Sequence, residues 1–310
     1  MPPSDTTGRR PTVFQGFWHG PPLGPLRSAC LASFVALGHR YELYVYEPVQ
    51  VPAGVVLRDA NEIIPQGEVF YYDNEVIGKP DIGPFSDLFR FKLLLERGGW
   101  WSDVDAICLS PEIPAFDRAW AQEKPEFAPT AIGTSQIAFA RGDKVVAELY
   151  RRCQQMSRSN YPTRESLGPK NISDTIKDLG LPPNYNGTPA LFYPVRWIEM
   201  FKLWLPQYRG EMLERAKAAF FMPIYNSFPQ YMGLEFGRLP PEGSYLSDIC
   251  YRYYDGSQRN WRRYGSDEIA RAVAAYFLAN RDWAMAELRA VSNVASLQRI
   301  GLGSALSSLG

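Results

Sequence analysis

Histidine and cysteine are scarce in this sequence. Only His19 and His39 occur among 310 residues, and the four cysteines lie far apart without a CxxC spacing. This pattern argues against a zinc site and against chemistry that needs a histidine base elsewhere in the chain. Widely spaced cysteines fit a reducing compartment, so we expect a cytoplasmic protein.

The chain also lacks an excess of charge and any long apolar run. Its 33 basic and 33 acidic residues balance, which excludes a global field of the kind that gathers nucleic acid. No segment approaches the roughly 18 uncharged apolar residues that cross a bilayer, and the N-terminal stretch lacks the apolar region of a secretory signal. We expect a soluble protein without a transmembrane segment, for which peripheral membrane contact stays open.

Hydrophobic periodicity predicts strands and helices in alternation. The predicted elements are strands at 12–18, 41–46, 104–109 and 131–140, and helices at 26–37, 85–97 and 143–156. Gly98 and Gly99 are typical of a helix stop after the second helix. Strand, helix, strand units of this length predict an α/β fold with a mostly parallel, Rossmann-like sheet and added helices. A further apolar stripe predicts a helix over 266–297.

Two carboxylates lie at the start of the strand predicted at 104–109, in the stretch GGWWSDVD. Alternate side chains on a strand share a face, so we expect Asp103 and Asp105 to converge. Converging carboxylates repel each other, whereas a hard cation such as Mg²⁺ or Mn²⁺ takes oxygen ligands and removes the conflict. Such a cation usually adds water and substrate phosphates to its shell, which points to a nucleotide-linked substrate. Two exposed acids in a turn are the alternative.

The helix before these acids carries a second charged pair. Asp87 and Arg90 stand three residues apart and share a helix face. The helix is apolar nearly all round, so these charges are expected to be buried and to need partners. An Arg that donates to phosphate or sugar oxygens, beside an Asp that accepts from sugar hydroxyls, would fit a polar pocket. A plain intrahelical ion pair is the alternative.

The whole stretch SDLFRFKLLLERGGWWSDVDAICLSP, at 86–111, resembles the signature of DXD-type sugar transferases. It is similar to glycosyltransferase family 32, whose members include capsule and lipooligosaccharide sugar transferases of polysaccharide biosynthesis and which is related to the glucosyltransferase domains of clostridial toxins. The resemblance implies a GT-A fold at 12–256, in which the sheet binds a nucleotide-sugar. A helical extension packed on that domain is expected at 257–310.

The resemblance implies roles for the residues that match the signature. Asp103 and Asp105 would hold the metal and, through it, the donor diphosphate. Asp87 and Arg90 would contact the donor sugar. Trp101 takes the place of the aromatic residue before the DXD and would form a wall of the sugar pocket.

Three weaker matches extend the implied donor site. Trp18, in the stretch FWHG, matches a tryptophan that lies against the nucleotide base, and an indole can stack on a flat base; a role in core packing is the alternative. Ser135 falls where relatives carry a segment near the sugar. Leu167-Gly168-Pro169 is similar to a Thr-Gly-Pro element of the family.

The expected third metal ligand is replaced in this chain. The stretch PIYN at 223–226 is similar to a His-Leu-Trp-Asn element whose His can complete the metal shell, and Pro223 occupies the His position. Asn226, Glu235 or Ser244 could supply an oxygen instead, or water alone could complete the shell.

Together these features predict a metal-dependent hexosyltransferase that uses Mn²⁺ or Mg²⁺. It would move a sugar from a nucleotide-sugar, with UDP favoured and GDP as the second choice, to a hydroxyl acceptor with retention. The acceptor could be a glycan, a lipid or a protein. Two alternatives stay open: a pseudo-transferase that binds nucleotide-sugar or glycan without turnover, and a nucleotide-sugar hydrolase.

Overall fold

The fold is given by a computed structural model, which describes residues 12–74, 79–123, 131–156, 163–225, 227–234, 237–254 and 261–282. The strands in these ranges are Val13–Trp18 (β1), Arg40–Val45 (β2), Val56–Asp59 (β3), Tyr72–Asn74 (β4), Lys79–Asp81 (β5), Gly99–Ser102 (β6), Ala106–Cys108 (β7), Arg118–Ala119 (β8), Gln136–Phe139 (β9) and Phe221–Pro223 (β10).

The α-helices in the same ranges are Gly24–Ala36 (α1), Gly83–Arg97 (α2), Lys144–Gln155 (α3), Pro169–Asp178 (α4), Pro189–Phe192 (α5), Phe201–Trp204 (α6), Arg209–Ala216 (α7), Ser227–Tyr231 (α8), Tyr245–Tyr253 (α9) and Ser266–Ala279 (α10). Four short 3₁₀ turns lie between them, at Ala60–Glu62, Gln66–Glu68, Trp197–Glu199 and Pro206–Tyr208.

The central sheet has six strands in the order β3-β2-β1-β6-β9-β8. Strands β3, β2, β1 and β6 are parallel, and β9 runs antiparallel to β6 and to β8. The α/β fold with a mostly parallel, Rossmann-like sheet and added helices is therefore confirmed. It is built on the predicted β1-α1-β2 unit, in which helix α1 joins two neighbouring parallel strands.

The short buried strand predicted at 104–109 is confirmed as β7, but it lies outside the central sheet. The chain enters the central sheet earlier, at β6, because Gly98 and Gly99 take positive φ values of 68° and 91° and turn it sharply after α2. Trp100 and Trp101 then pack into clusters on opposite faces of the sheet. β7 comes only after a turn and pairs with β10 in a separate two-stranded sheet. The acids consequently follow the carboxyl end of a central strand, where open α/β sheets bind ligands.

The C-terminal helix α10 packs on the rest of the chain through its predicted apolar stripe. Ile269, Val273 and Phe277 are buried in one cluster with Phe201 of α6 and Leu246 of α9. The described helix ends at Ala279, whereas the sequence predicts a helix to 297, and the residues from 283 onward lie outside the described part.

A buried ion cluster fixes the 3₁₀ turn at Trp197–Glu199 to the helices that follow it. The Nζ of Lys202, which is 0% exposed, donates to Glu199 Oε1 at 2.7 Å and to Glu211 Oε1 at 2.9 Å. Arg215 Nη1 and Nη2 donate to the two oxygens of Glu199, both at 3.0 Å. Because buried charges need partners, this cluster ties the turn, α6 and α7 into one unit.

The four cysteines are free, and all four are buried. Within the described ranges, no helix is both long enough and apolar enough to cross a bilayer.

Candidate active site

A cleft of about 1190 Å³ opens at the edge of the sheet where β1 and β6 end. Pockets for one small ligand are typically about 300–1,000 Å³, so this cleft has room for two substrates. Six of the side chains singled out from the sequence line this cleft: Trp18, Asp87, Arg90, Asp103, Asp105 and Ser135.

Arg90 links two of the acids at the floor of the cleft. Its Nη1 donates to Asp87 Oδ1 at 2.7 Å, and its Nη2 donates to Asp103 Oδ1 at 2.8 Å. The side chain is only 4% exposed. The expected ion pair between Asp87 and Arg90 on helix α2 is therefore present. Arg90 also bonds to Asp103, so it connects α2 to the residue that follows β6. Arg90 holds the turn after β6 against α2, and its guanidinium is engaged by carboxylates.

Trp101 does not form a wall of the cleft. It is 1% exposed and packs in the core cluster beneath α2. Its Nε1 donates to Asp103 Oδ1 at 2.7 Å, and the guanidinium of Arg90 lies 4.7 Å from the centre of an indole ring. The expectation of a direct sugar contact is wrong for this residue, because its position on a central strand buries the ring. Trp101 instead positions Asp103.

Asp87 lies between two arginines. Burial raises the pKa of Asp87 to about 6, although the charges of Arg90 and Arg164 oppose this effect. The two arginine charges thus favour the ionised carboxylate that accepts the hydrogen bond from Arg90. Arg164 and Asp81 form an ion pair, and both line the cleft. The sequence pattern did not identify this second pair, whose members are 83 residues apart.

Gly168 packs closely against the carboxylate of Asp87. It precedes α4, and a Cβ at this position would overlap the carboxylate of Asp87. The carboxylate oxygens would lie within 2.6 Å of that Cβ, so the packing leaves no room for a side chain at this position. The weak match at 167–169 thus lies against the charged floor of the cleft.

We expect Gly168→Ala to lower the free energy of unfolding by about 1–3 kcal/mol, because the methyl group displaces the Asp87 carboxylate. Urea denaturation checks this value. Gly210→Ala in α7 is the matched control, since an added Cβ there meets nothing within 4 Å and alanine favours a helix. Equal stability of the two variants would contradict the packing of Asp87 against Gly168.

Asp105 and Trp18 share a neighbour that the sequence analysis missed. The charge of Asp105 acts on Arg27, a buried residue of α1; burial lowers the pKa of Arg27 to about 10, and Asp105 opposes this decrease. The guanidinium of Arg27 also lies 4.6 Å from the centre of a Trp18 ring. The signal that could have found Arg27 is a cation on an apolar helix, the same signal that identified Arg90.

Trp18 ends β1 and is partly exposed at the cleft. Its Nε1 donates to the backbone oxygen of Pro21 at 3.0 Å. This bond holds the indole against the Gly/Pro loop that follows β1. Its position is compatible with base stacking, which stays a prediction.

Ser135, next to β9, is hydrogen-bonded to the turn that carries Asp103 and Asp105. Its backbone oxygen accepts from the Asp103 N–H at 3.0 Å. Its Oγ accepts from Gln136 Nε2 at 3.3 Å, and Gln136 in turn donates to Ser102 Oγ at 3.0 Å. These contacts position the backbone on which Asp103 stands.

The stretch expected to carry the third metal ligand does lie beside the acids. Pro223 is paired with Ala106 in the β10–β7 ladder, and the Ile224 N–H donates to the backbone oxygen of Asp105 at 2.8 Å. Pro223 and Tyr225 both line the cleft. Tyr225 takes a left-handed φ of 46°, which is uncommon for a bulky residue and often marks a functional site.

Of the three oxygen donors considered for this role, the structure describes only Ser244. Asn226 and Glu235 lie outside the described residues. Ser244 is fully buried as the N-cap of α9, where its Oγ donates to the Pro241 carbonyl and accepts from the Ser247 N–H. Ser244 is therefore a helix cap and lies outside the cleft.

The donor set fits a hard cation that keeps much of its own shell. Over the described ranges, no three His, Cys, Asp or Glu side chains are grouped as a metal site. Asp103 accepts both Arg90 and Trp101 on Oδ1, so Oδ2 is the oxygen suited to a cation. Two carboxylates, with water and substrate phosphates, match the way Mg²⁺ is usually held.

No protein-family model and no curated protein matches this chain. Among solved structures, the PaToxG glycosyltransferase is similar, with 10% identity and a TM-score of 0.41 over 79% of this chain and 86% of that chain. The apo structure of the bifunctional glycosyltransferase WbbM is similar, with 11% identity and a TM-score of 0.36 over 78% of this chain. This chain covers 51% of WbbM, about half of its length.

Proposed function

We propose that this chain is a cytoplasmic, metal-dependent glycosyltransferase of the GT-A type, which moves a sugar from a nucleotide-sugar to a hydroxyl acceptor. One observation carries the proposal. The acids of the DXD stretch follow the carboxyl end of β6, and Arg90 bonds Asp87 to Asp103 there, at the floor of a cleft with room for two substrates.

The protein side chains supply positioning in this account. Arg90 and Trp101 fix one oxygen of Asp103 and leave the other for a ligand. Arg27 places a buried positive charge near Asp105. A divalent cation bound by the two carboxylates would supply positive charge to the donor diphosphate. Charges arranged in advance in this way lower the barrier, because they need no reorganisation when the leaving group departs.

The reaction breaks the bond between the anomeric carbon and the diphosphate. Negative charge grows on the leaving phosphate while the sugar gains oxocarbenium-like character, as in glycoside hydrolysis. We propose retention, with the acceptor hydroxyl attacking from the side of the leaving group and a phosphate oxygen taking its proton. This route needs no histidine base, in keeping with a chain that has only two histidines.

Trp18 is proposed to stack on the nucleotide base. We expect Trp18→Ala to weaken binding of free UDP or GDP about tenfold or more, because a stacked ring contributes about 1–3 kcal/mol. Trp18→Phe keeps a flat ring and should retain most of the affinity. Calorimetry measures both. An unchanged nucleotide affinity in Trp18→Ala would show that Trp18 does not stack on the base and serves only in packing.

Binding of the donor nucleotide tests the proposal independently of turnover. Calorimetry of the wild-type protein with UDP, GDP and CMP, each with and without Mn²⁺, should show one preferred nucleotide whose binding requires the metal. Adenosine diphosphate serves as a diphosphate control with a different base. If none of these nucleotides binds in the presence of Mn²⁺, the chain is not a nucleotide-sugar transferase.

A further inference from the structure

The described lining residues of the cleft include three arginines: Arg27, Arg90 and Arg164. Arg90 donates from both of its terminal nitrogens to carboxylates, at 2.7 Å to Asp87 and at 2.8 Å to Asp103. Arg164 is paired with Asp81, and its charge also acts on Asp87. The third arginine belongs to a different element, α1, and has different neighbours.

Arg27 lies close to the residues proposed to bind the base and the metal. Its guanidinium carbon is 4.6 Å from the centre of a Trp18 ring, and its Nη1 donates to the backbone oxygen of Leu23 at 3.2 Å. The side chain is only 5% exposed and lines the cleft. The charge of Asp105 acts on it. One buried cation is therefore near both the proposed base site and a proposed metal ligand.

Helix α1 is fixed against the strand that follows Asp105. Ser33 Oγ accepts from the N–H of Cys108, in β7, at 2.8 Å. Burial raises the pKa of the Cys30 thiol, and the charge of Asp105 adds to this increase. Cys30 stands three residues after Arg27, so the two share a helix face. Asp105 therefore faces the side of α1 that carries Arg27.

A nucleotide that made both proposed contacts would bring its diphosphate to Arg27. Its base would stack on Trp18, and its phosphates would meet the cation held by Asp105. Because Arg27 is near both residues, the atoms that join the base to the phosphates pass close to its guanidinium. A guanidinium donates charge-assisted hydrogen bonds to phosphate oxygens. Arg90 has both terminal nitrogens engaged by carboxylates, so Arg27 is better placed for this contact.

The same positive charge opposes a divalent cation when no phosphate is present. Asp105 is a proposed metal ligand, and a guanidinium near it repels a second cation. A diphosphate brings negative charge to both cations at once. The diphosphate therefore raises the affinity for the metal, and by reciprocal linkage the metal raises the affinity for the nucleotide.

We propose that Arg27 binds the donor diphosphate and that, in the absence of the diphosphate, it weakens binding of the divalent cation at Asp105. The inference rests on the proposed transferase function. As a consequence, the cleft takes up the metal together with the nucleotide and binds the metal alone only weakly.

The test removes the charge in two ways, with Arg27→Met and Arg27→Gln, and measures two affinities. Electron paramagnetic resonance of free Mn²⁺ gives the affinity for the metal alone, which should rise about threefold or more. Calorimetry with UDP and GDP at saturating Mn²⁺ should show nucleotide binding about tenfold or more weaker, since a hydrogen bond to a charged group is lost. Damage to the fold would weaken both affinities, so changes of opposite sign identify the charge.

Two further variants serve as controls. Arg27→Lys keeps the charge, so it should bind Mn²⁺ alone as weakly as the wild type and recover part of the nucleotide affinity. Arg209→Met should behave as the wild type, because Arg209 pairs with Asp248 and is not among the cleft residues. Wild-type or weaker affinity for Mn²⁺ alone in Arg27→Met and Arg27→Gln, or a wild-type nucleotide affinity in both, would overturn the inference.

Failure of this inference can be separated from failure of the transferase proposal. If the wild type binds UDP or GDP with Mn²⁺ but the charge-removing variants do not change the two affinities in opposite directions, only the role of Arg27 is wrong. If the wild type binds no nucleotide with Mn²⁺, the donor site itself is wrong, and the inference on Arg27 falls with it.

Discussion

Asp103→Asn is expected to lower the rate of nucleotide release from the donor sugar at least about 100-fold, with the fold retained but the melting temperature lowered, because buried Arg90 loses one of its two carboxylate partners. Both hydrogen bonds to the Asp103 side chain fall on Oδ1, from Arg90 Nη2 and Trp101 Nε1. The amide oxygen of Asn can accept the same two bonds. The substitution therefore keeps these hydrogen bonds, but it removes the negative charge that faces Arg90 and replaces the second oxygen, which is the atom proposed to meet the metal.

Initial rates at saturating donor, over a range of Mn²⁺ concentrations, measure this effect. Asp174→Asn is the matched control, because Asp174 is an exposed residue of α4 that pairs with Lys170 away from the cleft. It should behave as the wild type does. A wild-type rate for Asp103→Asn at limiting metal would show that Asp103 is not a metal ligand.

Glu199→Ala is expected to lower the free energy of unfolding by about 3–5 kcal/mol, since it removes one partner of a buried ion cluster. Lys202 is 0% exposed and would keep only Glu211 as a carboxylate partner. Urea denaturation at pH 7 measures the change. Glu214→Ala, in an exposed pair with Lys217, is the control and should change stability little. A small effect for Glu199→Ala would mean that the cluster does not hold the turn.

The same cluster gives a pH dependence. Burial would raise the pKa of Glu199, but hydrogen bonds and charge from Arg215 and Lys202 outweigh it and lower the pKa from 4.5 to about 2. A carboxyl group with a depressed pKa in the folded state stabilises the fold above its unfolded pKa and loses that contribution as the pH falls. The stability difference between the wild type and Glu199→Gln should therefore shrink from about pH 4.5 to about pH 2. A difference that does not change over this window would contradict the assignment.

The parts of the site that could be predicted from sequence are those encoded within a short stretch. Asp87, Arg90, Asp103 and Asp105 lie within 20 residues, and the spacing of the first two indicates the shared helix face that their ion pair confirms. Both later acids line the cleft, although they lie in a turn and not on the predicted strand, so their convergence stays a prediction. The alternation of strands and helices predicts the α/β order for the same reason. Local periodicity is set by local geometry, so it can be interpreted without knowledge of the fold.

The parts that could not be predicted depend on distant contacts. Gly98 and Gly99 suit a helix stop, but only the central position of β6 shows that Trp100 and Trp101 are buried on opposite faces of a sheet. A buried indole cannot line a pocket. Because Trp101 lies on β6, its role is to position Asp103 and not to contact the sugar. The pair of Arg164 and Asp81 joins residues 83 positions apart, and no pattern in the sequence indicates it.

The central claim is that the DXD cleft cleaves a nucleotide-sugar with the help of a divalent metal. Nucleotide release from a panel of UDP-, GDP- and CMP-sugars, with and without Mn²⁺, tests it most directly. The account predicts release from one preferred donor, and this release should depend on Mn²⁺. Binding of a donor without release even when acceptor is present would identify a pseudo-transferase, and a panel in which no donor is bound or cleaved would contradict the claim.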